Sequence, residues 1–99
     1  MTEVIASKEK NHYKIQAKNH AGSSEVCNGI SAILYALEGA LFNNDYVCEH
    51  ISTLTPGNAE IAAVCLDSTA AEDFRMALIG IMQIQKAHPG EVGVSQNIF

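Results

Sequence analysis

The segment His12-Tyr13-Lys14-Ile15-Gln16-Ala17-Lys18-Asn19-His20-Ala21-Gly22-Ser23-Ser24-Glu25-Val26-Cys27-Asn28-Gly29-Ile30 decides the fold, because the period of its apolar residues changes within it. From His12 to Asn19 the alternation is strict: Tyr13, Ile15 and Ala17 point one way, and His12, Lys14, Gln16 and Lys18 the other. That pattern is a half-buried strand. Beyond Ala21-Gly22, residues Val26, Ile30, Ile33, Leu34, Leu37 and Leu41 recur at steps of three and four, the broad apolar face of a helix. Ser23 or Ser24 caps that helix, Glu25 suits its positive end, and Asn43-Asn44-Asp45 stops it.

Working outward, Glu3 to Ser7 is a short β-like run, and Lys8-Glu9-Lys10-Asn11 turns it into a hairpin with the strand from His12. On the other side, Tyr46 to Thr53 reads as a strand, Thr55-Pro56-Gly57-Asn58 as a turn, and Glu60 to Leu66 as a mostly apolar central strand. Thr69-Ala70-Ala71-Glu72 has capping-box spacing and opens a second helix with Phe74, Ala77, Leu78, Ile81 and Ile84 as its buried stripe. Lys86 and His88 lie at its negative end, and Pro89-Gly90 closes it. Val92 and Val94 alternate in the tail as one more edge strand. Two helices and a set of short, hairpin-linked strands predict a two-layer α+β sandwich in ββαββα order, a small, mainly antiparallel sheet covered by two helices in a single domain over 1–99.

Composition narrows the function. Of 99 residues, 47% are hydrophobic, enough for a packed core and too many for a disordered segment. No run of about 18 apolar residues is present, so no membrane span is expected. The start, Met1-Thr2-Glu3-Val4-Ile5, lacks the basic and apolar regions of a secretory signal, which predicts a cytoplasmic location. A net charge of −5 argues against a nucleic-acid partner. Lys8, Lys10, Lys14 and Lys18 crowd into the early chain, leaving an acidic remainder suited to a basic partner.

Chemistry concentrates between Asn19 and Cys27. Cys27 falls in the first turn of the first helix, where unpaired N–H groups and the helix dipole favour an anionic sulfur. His20 leaves the preceding strand one short loop away, placing an imidazole near the thiol as general base and acid for acyl transfer. The N–H groups of the helix start are candidate oxyanion donors. Val26, Asn28, Gly29 and Ser31 are candidate oxyanion or substrate-lining residues, and Glu25 is a candidate acid to orient His20. The competing reading is structural: cysteine is often buried, serine often bonds back along its helix, and glutamate often sits in a first helical turn. Cys48 and His50 are two positions apart on the third strand and, with His20 and Cys27, have the composition of structural zinc. The usual ligand spacings are missing, so no metal and no cofactor are expected. Cys65, in the apolar fourth strand, reads as inert packing.

These residues resemble the ribosomal-processing cysteine protease family, Prp. The likeness rests on Asn19-His20-Ala21 at a strand end and Ser24-Glu25-Val26-Cys27-Asn28-Gly29-Ile30-Ser31 opening a long helix. It continues through Gly80-Ile81-Met82-Gln83-Ile84, then His88-Pro89, then Val92 and Val94. The loop from His20 to Cys27 is shorter than in typical members, and Asn19 and Ser24 stand where the family carries glycine and aspartate. The resemblance implies a homodimeric, cytoplasmic cysteine endopeptidase with His20 and Cys27 as its catalytic pair. Its implied substrate is the N-terminal extension of a large-subunit ribosomal protein, a peptide segment ahead of a basic body. The alternative is a catalytically inactive homodimer of the same fold that binds peptides or regulates.

Overall fold

Strand β1 (Thr2–Glu9) turns back into β2 (His12–Lys18) through Lys10-Asn11, with Glu9 paired to His12. The tightness of this loop puts Lys10 at a φ of 56°. The computed structural model describes residues 1–99, and the elements that follow are α1 (Ser24–Phe42), β3 (Val47–Thr55), β4 (Asn58–Cys65), α2 (Ser68–Ala87) and β5 (Val92–Gln96). The order is therefore ββαββαβ, with the tail strand formed. The sheet runs β3-β4-β2-β1-β5 and is antiparallel except where β5 lies parallel to β1.

Alternation decides which face of the sheet is covered. Val4, Ala6, Tyr13, Ile15, Ala17, Ile61 and Ala63 are buried beneath the helices, while Ile5 and Ile51 on the other face are exposed. From α1 the buried residues are Val26, Ile30, Leu34, Leu37 and Leu41, and from α2 they are Ala70, Phe74, Ala77, Leu78 and Ile81. Each such leucine, isoleucine or phenylalanine contributes about 1.5–3 kcal/mol by leaving water. The Tyr13 ring stacks on Phe74 with centroids 5.4 Å apart, joining β2 to α2. The helices approach through reciprocal notches: a methyl group at Gly29 would lie 3.1 Å from Ile84, and one at Gly80 would lie 3.0 Å from Ile33.

Helix α1 is also long and apolar enough, by length and composition, to cross a membrane. That property went unforeseen because its polar residues break any continuous apolar run; in the fold its apolar stripe lies on the sheet.

Local chemistry sets the helix ends. Ser23 caps α1, its Oγ accepting the Val26 N–H at 3.3 Å. At α2 the expectation of a Thr69–Glu72 capping box is corrected: Asp67 is the cap, accepting the Ala70 N–H at 3.3 Å, and Thr69 lies inside the helix. The aspartate comes first in the chain and satisfies the orphan donor before Thr69 is reached.

Candidate active site

The site begins with the cap of α1. With Ser23 holding the Val26 N–H, the Cys27 N–H reaches back to the Ser23 carbonyl at 3.3 Å, so Cys27 stands in the first turn. Its side chain is half-buried, and its Sγ accepts the Ala21 N–H at 3.1 Å. The sulfur thus meets a backbone donor at the start of a helix.

His20 arrives from β2. Asn19 ends that strand at a φ of 70°, a left-handed conformation that asparagine tolerates better than most residues, and this redirects the chain before His20. The Asn19 N–H donates to the Gly57 carbonyl at 2.9 Å. The imidazole lies against the same glycine: a methyl group at Gly57 would sit 2.9 Å from Nε2. Gly57 also has a φ of 75°, as the second central residue of a Pro-Gly turn requires, so both space and backbone call for glycine here.

Between these elements lies an open groove of about 340 Å³. One wall is the face of α1 carrying Cys27, Asn28, Ser31 and Tyr35; the other is the β3–β4 hairpin from Leu54 to Ala59. Ala17, Ile30 and Leu34 add apolar lining, and Thr2, Asn19 and His20 complete the strand side. Cys27 and His20 thus line one groove. The sulfur is bonded to Ala21 rather than to the imidazole.

The other candidates separate. Asn28 and Ser31 line the groove, as stated above. Val26 does not: its side chain is buried in the core, and its N–H is committed to Ser23. Gly29 faces Ile84 of α2, away from the groove. The reason is angular. A helix turns about 100° per residue, so positions 26 and 29 diverge from Cys27 while 31 returns near it. Glu25 is exposed, does not line the groove and forms no ion pair with His20. Cys48 occupies a bulge in β3, and His50 packs edge-on against Phe42 at 4.3 Å. No group of three or more histidine, cysteine, aspartate or glutamate side chains is placed to hold a metal ion. Cys65 is buried at the end of β4.

Sequence reading missed the hairpin wall, Thr2 and Tyr35. Tyr35 carried a usable signal, since positions 27, 31 and 35 repeat every four residues and share a face. The hairpin and Thr2 carried none, because their approach to His20 depends on sheet order.

Fold and groove together define a class: a two-layer α+β domain with a cysteine at a helix start and a histidine at a strand end facing one groove. Solved structures of the same fold then make the likeness particular. The chain superposes on the ribosomal processing protease Prp from S. aureus bearing a covalently linked product peptide, with a TM-score of 0.83 at 17% identity over 98% of this chain and 100% of that one. The same protease with a substrate peptide gives 0.82 at 15% identity, with the same coverage. A hypothetical protein from Staphylococcus aureus gives 0.76 at 13% identity, again over 98% and 100% of the two chains. At such identities the shared property is the fold. No protein-family model and no curated protein matches the chain.

Proposed function

We propose that this protein is a cysteine endopeptidase that removes a short N-terminal peptide from a bacterial protein, with the extension of a large-subunit ribosomal protein as the leading substrate. The observation that carries the reading is the shared groove of Cys27 and His20, with a backbone N–H on the sulfur. The fold likeness to a processing protease that holds substrate and product peptides supports it.

In the reaction His20 takes the Cys27 proton, and the sulfur attacks the scissile carbonyl carbon. The Ser24 and Glu25 N–H groups, the ones at the start of α1 that Ser23 leaves without a partner, are the donors for the tetrahedral oxyanion. As the C–N bond breaks, the imidazolium protonates the leaving amine and a thioester remains on Cys27. Water, deprotonated by His20, hydrolyses that thioester. The groove's apolar lining and open form suit a peptide carrying bulky side chains, and the net negative charge favours a basic body beyond the cut. A homodimer working in the cytoplasm belongs to the same proposal.

One observation favours the second reading, an inactive peptide-binding member: the imidazole rests on Gly57 while the sulfur is bonded to Ala21. A single experiment separates the two. The protein is mixed with a synthetic peptide spanning a ribosomal N-terminal extension and followed by mass spectrometry. Cleavage by the wild type, a thioester adduct on Cys27 and loss of both in Cys27→Ala establish the peptidase. Peptide binding that survives in Cys27→Ala, without cleavage by the wild type, establishes the binding module.

A further inference from the structure

Thr2 is the one buried polar residue of the chain, at 4% exposure, and it lines the groove. Its backbone N–H donates to the Glu91 carbonyl at 3.0 Å, which anchors the start of β1 beside the residue that leads into β5. Its hydroxyl donates to the Asn19 carbonyl at 3.2 Å. Asn19 is therefore held at both polar groups of its backbone, its carbonyl by Thr2 and its N–H by Gly57. Asn19 is also in the left-handed conformation, and its two torsions set the direction in which His20 leaves the strand.

From this geometry we infer that Thr2 is a positioning residue for His20, acting through Asn19, with Gly57 as the platform on which the imidazole rests. A left-handed residue that is not glycine lies about 1 kcal/mol or more above its right-handed alternatives, so contacts that hold it there determine how often it is populated. A threonine hydroxyl supplies such a contact; valine has the same shape without it. Losing it leaves the carbonyl of the exposed Asn19 to water and lets the Asn19 peptide rotate, which moves the root of the imidazole rather than the ring alone. The kinetic consequence rests on the peptidase reading; the positioning does not.

The test compares Thr2→Val with Thr2→Ser in the full-length protein. One readout is the nuclear Overhauser effect between the His20 ring and the Gly57 α-protons. The second is the rate of iodoacetamide reaction at Cys27. In Thr2→Val the ring signal to Gly57 weakens and Cys27 reacts roughly threefold to tenfold more slowly, the scale of one lost hydrogen bond. Thr2→Ser retains both. A Thr2→Val protein that stays folded with both readouts unchanged overturns the inference. If the valine variant does not fold, Thr2→Ala against Thr2→Ser carries the same comparison. A wild-type Cys27 rate that ignores His20→Ala defeats the peptidase reading, and the ring signal still decides the role of Thr2.

Discussion

Two cysteines flank the two helix starts and meet opposite surroundings. Cys27 lies in the first turn of α1, half-buried on a groove, with the Ala21 N–H pointing at its sulfur. Cys65 lies three residues ahead of α2, buried, with carboxylates around it. Burial pushes the Cys65 thiol up to about 11, with the charges of Asp67 and Asp73 adding to it. Burial, with the charge of Asp67, also pushes the Asp73 carboxyl up. One sulfur has a backbone donor beside it on an open groove; at the other, desolvation and like charge oppose the anion. Residue type is the same, so placement decides which cysteine can serve as a nucleophile.

The strongest way to break this contrast is to open the core that covers Cys65. Phe74→Ala should cost about 3–5 kcal/mol, read from urea unfolding, and should expose Cys65 to alkylation. Cys65 remaining unlabelled in that variant would show that something other than the core shields it. In the wild type at about pH 8, with the Cys65 thiol near 11, Cys27 should alkylate at least about a hundredfold faster. Equal rates measured by peptide mapping would erase the distinction.

Smaller changes sharpen it. Ser23→Ala removes the cap of α1 and should cost about 1 kcal/mol while slowing Cys27 alkylation, since the first turn frays. Thermal unfolding and labelling are read on one sample, and a loss of stability with no change in labelling would separate the cap from the thiol. Asp67→Asn keeps a capping side chain and removes a charge, so stability near neutral pH should barely move. Its effect appears at alkaline pH. The folded value of Cys65, about 11, lies above the thiol's ordinary value of 9.0. Between those values the unfolded chain releases the thiol proton first, so stability falls as pH rises through the window, and below it the thiol contributes nothing. Denaturation series across that range should show a shallower fall in Asp67→Asn than in the wild type.

Much of this architecture was legible because local patterns and the fold agree. The change from alternation in β2 to the Val26–Leu41 stripe in α1 placed one strand and one helix on the same core, and Pro56-Gly57 marked a real hairpin. The misreadings share a physical origin. The Thr69–Glu72 spacing imitated a cap, yet Asp67 reached an orphan N–H first. Val26 and Gly29 neighbour Cys27 along the chain and diverge from it around the helix. At the candidate site, His20 and Cys27 were readable because strand, loop and helix lie in succession. The opposite wall was not, since Gly57 reaches His20 only after β4 pairs with β2.

The central claim is that Cys27 and His20 work as a pair. The most direct test is alkylation by iodoacetamide across pH, resolved at Cys27, Cys48 and Cys65, in the wild type and in His20→Ala. The account predicts that Cys27 reacts well below pH 7, that this reactivity disappears without His20, and that the other cysteines do not change. A Cys27 that titrates like an ordinary thiol near pH 8.5 in both proteins would contradict it.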